Sequence, residues 1–176
     1  MFTWSAASRT ADDVIPFPFS AFTLSPVHLR PDCDGSVRLK SPDPLAPPAI
    51  RYEFLRSEYD REAILHGMRV CRQIANQPAL ADYMVEEILP GPGVSSDEDL
   101  LADVRARGIA NYHPVGTCRM GEEIDSVTDA RLRVHGIAHL RVADASIMPS
   151  IIAGNTNAPT IMIGEQATAM NLEHAT

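Results

Sequence analysis

Three short stretches of this 176-residue chain hold the residues best suited to chemistry. The first is Asn111-Tyr112-His113-Pro114-Val115-Gly116-Thr117-Cys118-Arg119-Met120-Gly121. The second is Arg141-Val142-Ala143-Asp144-Ala145-Ser146-Ile147-Met148-Pro149, and the third is Gly154-Asn155-Thr156-Asn157. Histidine is the only side chain that ordinarily titrates near neutral pH, so His113 is the natural general base of the set. Pro114 biases His113 toward extended backbone, and Gly116 permits a close turn against a ligand. Stripped of those neighbours, a histidine between Tyr and Pro would read as a satisfied core residue. Asn157 is polar in a different way. Its amide cannot accept a proton at neutral pH but can donate a hydrogen bond to an oxygen that is gaining negative charge. Its place before Ala158-Pro159 suits a helix cap equally well.

In this order and in one chain, the three stretches resemble the C-terminal signature of the glucose–methanol–choline (GMC) oxidoreductases, flavoenzymes that oxidise alcohols. The resemblance extends more weakly back to Ser36-Val37-Arg38-Leu39-Lys40-Ser41. It implies FAD as cofactor, a small-molecule alcohol as substrate and choline-dehydrogenase-like chemistry. In that chemistry His113 takes the hydroxyl proton while hydride passes from carbon to flavin, and Asn157 shares the substrate oxygen with His113. Related enzymes carry His or Asn at the position of Asn157. The resemblance also sets Asp144 and Ala145 near the ribityl–pyrophosphate part of FAD, and Asn155, Ala158 and Pro159 beside the isoalloxazine. A helix starting at Asn157 would bring unsatisfied amides and partial positive charge to that ring. The plain alternatives are that Asp144 caps a turn at a strand end and that Arg119 forms a structural ion pair.

Enzymes of this kind hold the FAD pyrophosphate with a Gly-rich turn ahead of a helix. The chain contains no G-x-G-x-x-G. Its nearest approach, Gly91-Pro92-Gly93, lacks the third glycine, and Pro92 removes a donor. The expected organisation is therefore a C-terminal portion. Residues 1–110 would form part of a substrate-binding domain, and residues 111–176 would return to an FAD-binding domain. The N-terminal Gly-rich half would act as a missing partner. A second reading is a catalytically silent remnant or binding module that keeps the signature. A third, an esterase-like hydrolase using Ser146 and His113, fails because Asp144-Ala145-Ser146-Ile147-Met148 lacks the G-x-S-x-G elbow.

The elements that must position these residues can be read in outline. Ser36–Ser41 alternates apolar and charged residues as a half-buried strand does, and Ile50–Leu55 offers a second strand beyond a Pro-rich loop. Ser57 can cap a helix whose Ile64, Met68, Cys71 and Ala75 share a face until Pro78 stops it. A short helix is expected over Ala79–Val85. Another follows a capping box at Ser95-Ser96-Asp97-Glu98, in which Glu98 reaches back to Ser95, and ends at Gly108. Beyond it, Arg131–Val134 and Leu140–Ala143 read as strands joined through His135-Gly136. A last helix runs from Asn157 to about Leu172, with Gly164, Ala167 and Ala169 keeping it slim. Strands and helices mix without regular β-α-β alternation. The predicted class is α+β, an antiparallel sheet with helices on one side, plus C-terminal strands and a helix that complete an FAD-binding domain.

Composition narrows the function classes. An apolar fraction of 45% and a charged fraction of 22% are those of a globular domain. The net charge of −8, with 15 Lys and Arg scattered along the chain, argues against nucleic acid and anionic membrane surfaces. No apolar run approaches the roughly 20 residues that span a bilayer, and the N-terminus lacks the pattern of a signal peptide. Three cysteines without C-x-x-C spacing, and histidines without ligand spacing, point away from a disulfide scaffold or metal site and toward a reducing, cytoplasmic setting.

Overall fold

A computed structural model describes residues Phe2–Ser5, Ala7–Arg9 and 14–173. The chain forms two compact units, one of Met1–Asp34 with Glu53–Asn111, the other of Gly35–Tyr52 with Tyr112–Thr176. The class is α+β, and every named strand pair is antiparallel. Among the described residues the strands do not join one sheet, however, but form three separate two-stranded ladders.

In the first unit β1 (Phe2–Ser5) pairs with β4 (Thr23–Pro26), and β2 (Ala7–Arg9) with β3 (Val14–Pro16). Helix α1 (Glu58–Ala75) packs on β4. Gly67 makes that approach possible, since a Cβ there would lie 2.6 Å from the Cβ of Pro26. Ser57 caps α1 by accepting from the Asp60 amide. The helix ends at Asn76, and Pro78 opens a 3-10 helix, Pro78–Tyr83, where a short helix was expected. The buried face of α1 differs from the expected stripe. Cys71 is buried as anticipated, but Leu65 and Asp60 are buried where Ile64, Met68 and Ala75 are only half-buried. Burial pushes the Cys71 thiol up to about 11.

Helix α2 (Asp97–Arg107) buries Leu100 and ends at Gly108. Its cap sits one residue later than the sequence suggests. Ser96, not Ser95, accepts from the Asp99 amide at 3.1 Å, and its hydroxyl donates to the Asp99 carboxylate at 2.6 Å. Asp99, rather than Glu98, is the acidic residue paired with the cap, through the Ser96 hydroxyl and not through a backbone amide. Arg72 ties α1 to the following loop, with two-pronged bonds to Glu87 and further bonds to the carbonyls of Gly91 and Val94. The Gly91-Pro92-Gly93 segment is therefore held by its carbonyl side.

In the second unit β5 (Ser36–Arg38) pairs with β6 (Ala49–Arg51), placing Val37 opposite Ile50. Both are exposed rather than half-buried. Helix α3 (Asn157–Glu173) starts where expected. Its Ile163 and Ala167 join Leu132, Ile147 and Met148 in the core. The reading of α3 as a slim helix holds only at Ala167. Ala169 is exposed, and a Cβ at Gly164 would meet nothing within 4 Å. Among the described residues no helix is long and apolar enough to cross a membrane.

The polar anchor of the first unit is Asp60, only 2% exposed. Its Oδ1 accepts from the Asp32 amide at 2.8 Å and pairs with His28 Nε2 at 2.9 Å. Burial alone would raise this carboxyl, but the neighbouring Cys33 thiol, the Asp32 amide, His28 and the Ser57 hydroxyl outweigh it, so the net shift is downward. Asp60→Ala is expected to destabilise the unit by about 1–3 kcal/mol, because it takes the acceptor from the Asp32 amide and the half-buried His28; urea unfolding followed by circular dichroism measures this. A depressed folded value means the contribution of the carboxylate is full above about pH 4 and lost as pH falls through the lower folded value. Asp60→Asn should therefore remove part of the acid sensitivity of unfolding.

Candidate active site

The stretch around His113 is held by backbone rather than by regular strands. On one side of the strip 118–120, the Cys118 amide donates to Ser146 O at 2.9 Å and the Met120 amide to Ile147 O at 2.8 Å. On the other side the amides of Val127 and Thr128 donate to Arg119 O, and the Gly121 amide to Thr128 O at 2.9 Å. Thr128 is fully buried, and its hydroxyl donates to Cys118 O at 3.1 Å. The first and second sequence blocks, far apart in the chain, thus lie side by side.

The strands expected at 131–134 and 140–143 appear only as isolated antiparallel bridges, Arg133 with Arg141 and Val134 with Thr128. Two local causes break the ladder. Leu132 has a left-handed backbone, φ 64°, and the Asp129 carboxylate captures the amides of Arg131 and Arg133 at 2.8 and 2.9 Å. The turn at His135-Gly136 still brings the segments together, with the Val134 amide donating to Leu140 O and the Val142 amide to Leu132 O, each at 3.0 Å. His135 Nε2 lies 3.0 Å from Gly121 O. His66 and His139 are exposed.

Asp144 caps a short 3-10 helix, Ala145–Ile147, its Oδ1 accepting from the Ser146 amide at 2.8 Å. The residue is exposed, whereas Ala145 is half-buried against the core. Arg119 pairs with Asp125, the structural alternative foreseen for it. Gly116 has φ 88°, and a Cβ there would stand 3.4 Å from Met148 O. The glycine lets the His113 loop turn directly over the end of the second block. Tyr112, just before His113, also lies in the left-handed region at φ 60°.

His113 is half-buried, and its Nδ1 lies 2.9 Å from Thr156 Oγ1 across 43 residues of sequence. Thr156 immediately precedes α3 and is 8% exposed. Its carbonyl receives the first helical bond, from the Thr160 amide at 3.0 Å. The cap position therefore belongs to Thr156, and Asn157 is the first helical residue, exposed beside it. Asn155 and Ala158 are also exposed, and Pro159 is half-buried. The fold thus brings His113 to Thr156, the residue that precedes Asn157 at the start of α3. Thr156 is the residue that sequence reasoning passed over. The available signal was a hydroxyl residue just ahead of a helix whose third residue is proline. Among the described residues no cluster of three His, Cys, Asp or Glu is arranged to hold a metal ion.

Comparison with known proteins agrees with this architecture. Residues 31–164 match the family model described as GMC oxidoreductase. The chain is 46% identical over 146 residues to an alcohol dehydrogenase [acceptor] of Pseudomonas putida, covering 83% of this chain and 26% of that protein. It is 49% identical over 138 residues to an oxygen-dependent choline dehydrogenase of Klebsiella pneumoniae, covering 78% of this chain and 25% of that one. Among solved structures, an FAD-dependent oxidoreductase from Chaetomium thermophilum superposes with a TM-score of 0.79 at 27% identity, over 89% of this chain and 27% of that one. The fold and the sequence define a C-terminal GMC oxidoreductase portion. The chain belongs to the GMC oxidoreductase family, and it spans about a quarter of the length of the curated relatives it matches.

Gly116→Ala is expected to destabilise the second unit by about 1–2 kcal/mol, because an L side chain is strained at that φ. Thermal unfolding of the chain compared with the substituted form measures the cost.

Proposed function

We propose that this chain supplies the proton-handling groups of an FAD-dependent oxidoreductase acting on the CH–OH group of a small alcohol. The observation that carries the reading is the pairing of His113 Nδ1 with Thr156, the residue just ahead of Asn157 and the start of α3, which leaves Nε2 as the ring nitrogen for the substrate. Family membership and the printed names of the relatives, alcohol dehydrogenase and choline dehydrogenase, support the substrate class.

The residues present fit FAD. Asn157 and Ala158 stand exposed at the N-terminus of a 17-residue helix, where backbone amides have no acceptor within the helix. Donors and partial positive charge there suit an electron-rich ring edge. Around Asn155 the backbone is open, since a Cβ at Gly154 would meet nothing within 4 Å. Asp144 uses Oδ1 for its cap, leaving Oδ2 to accept from a ribityl hydroxyl, with Ala145 beside it. Pro159 continues the same helical turn. When bound, FAD supplies the hydride acceptor. His113 Nε2 takes the hydroxyl proton of the alcohol as the O–H bond breaks, and the Asn157 amide donates to the oxygen as its charge grows.

In this reading residues 1–110 are part of the substrate-binding domain, and residues 111–176 complete the FAD-binding domain. The partner is the N-terminal Gly-rich half common to such enzymes. Ile161, Met162 and Leu172 are exposed on α3, and Val37 and Ile50 on the β5–β6 ladder, apolar surface that suits a protein partner. The three unpaired cysteines fit a cytoplasmic setting.

Two measurements test the reading. The chain alone should remain colourless after incubation with FAD and desalting, because the pyrophosphate is held elsewhere; stoichiometric yellow protein would contradict this. In a flavin-loaded enzyme containing this segment, His113→Ala should lower turnover by about 10²–10⁴-fold, the usual contribution of a positioned base, with flavin content retained. Near-normal alcohol oxidation by that variant would leave the chain as a silent module that keeps the signature.

A further inference from the structure

We infer that Thr156 is a positioning residue for His113, and that Pro159 helps to free its hydroxyl for that work by removing one of the two helical amides that would compete for it. The inference rests on His113 acting as the base. A threonine ahead of a helix ordinarily accepts from the amide of the second or third helical residue. In α3 the third residue is Pro159, which has no N–H. The Thr156 hydroxyl is instead found 2.9 Å from His113 Nδ1.

Both ends of this bond are fixed independently. The Thr156 carbonyl is held by the Thr160 amide at 3.0 Å and by the Thr160 hydroxyl at 2.6 Å. Helix α3 is in turn anchored by Ile163 and Ala167 in the core. The backbone of His113 is set between Tyr112 at φ 60° and the Gly116 turn, with Val115 packed against the same core. The bond therefore joins two held pieces of backbone, and it orients the ring.

The chemistry of a hydroxyl suits the role. It can accept from a protonated Nδ1 or donate to a bare one, whereas a carbonyl or an amide N–H can serve only one state. In the working form Nδ1–H donates to Thr156 Oγ1 and Nε2 carries the lone pair. When the O–H bond of the alcohol breaks, its proton forms the N–H bond at Nε2, and the Nδ1–H···Oγ1 bond persists unchanged. The ring gains charge without turning, which is the purpose of a base oriented by a third group.

The ring nitrogens of His113, observed by ¹⁵N NMR in the full chain, give a readout independent of turnover. Thr156→Val, which keeps the shape and removes the hydroxyl, should move the Nδ1 resonance toward that of a solvent-exposed histidine. Thr156→Ser should restore it. Pro159→Ala, which adds a helical N–H that competes for Oγ1, should shift it partway without touching either partner. In a flavin-loaded enzyme containing the segment, Thr156→Val should lower kcat about tenfold with KM little changed, the scale of one lost orienting hydrogen bond, and Thr156→Ser should recover it. An Nδ1 signal unmoved in both Thr156→Val and Pro159→Ala, in chains whose helix content is intact, overturns the inference while leaving the role of His113 standing. Normal turnover in His113→Ala removes the base itself and the inference with it.

Discussion

The candidate site depends on a strip of backbone only three residues long. Residues 118–120 are gripped on one edge by the carbonyls of Ser146 and Ile147, and on the other by the segment around Thr128. No long ladder supplies this grip. A few bonds of 2.8–3.3 Å do so, closed by a threonine with no exposed surface. Thr128 and Ile147 in this grip are buried, so leaving one of their backbone groups unpaired costs about 1–3 kcal/mol. The penalty makes the register of the strip against the 3-10 helix specific despite the absence of strand-length pairing. Once the strip is set, Gly116 turns over Met148 and His113 is carried toward α3.

The far wall of the site is set by hydrophobic packing. Ile163 and Ala167 are one turn apart on α3 and share a core with Leu132, Ile147 and Met148. The same Ile147 and Met148 follow the capped turn at Asp144. One small core therefore fixes the end of the second block and the direction of α3 together. The helix start is placed by residues two turns further along, and Thr156 arrives opposite His113 as a consequence. Electrostatics plays little part in this arrangement. The Arg131–Glu173 ion pair of the unit is largely exposed and contributes little to stability.

The two faces of α3 behave differently. Ile163 and Ala167 are buried, while Ile161 and Met162 stand in solvent. A helix apolar on more than one side is normally covered on more than one side. The β5–β6 ladder shows the same feature, with Val37 and Ile50 paired across the strands yet exposed.

Local signals in the sequence determined much of this structure because they depend on few neighbours. Ser57 as cap, Gly108 as stop and Asn157 as the first residue of α3 follow from hydrogen-bonding and backbone preferences within a turn. The three motif-bearing stretches were equally legible, since residue type alone marks a histidine between turn-formers. The choice between Ser95 and Ser96 was not, because both satisfy the same capping rule and only the placed chain selects one. The strands at 131–134 and 140–143 dissolved into isolated bridges because Asp129 and the left-handed Leu132 reshape the backbone, an effect that alternation of apolar residues does not reveal. Thr156 was hidden for a related reason. Its hydroxyl looks like an ordinary cap until Pro159 is placed third in the helix and a histidine 43 residues earlier is brought within 2.9 Å. Sequence named the groups able to do chemistry; tertiary structure decided which hydroxyl the histidine meets, because that contact is made by packing between segments that share no local code.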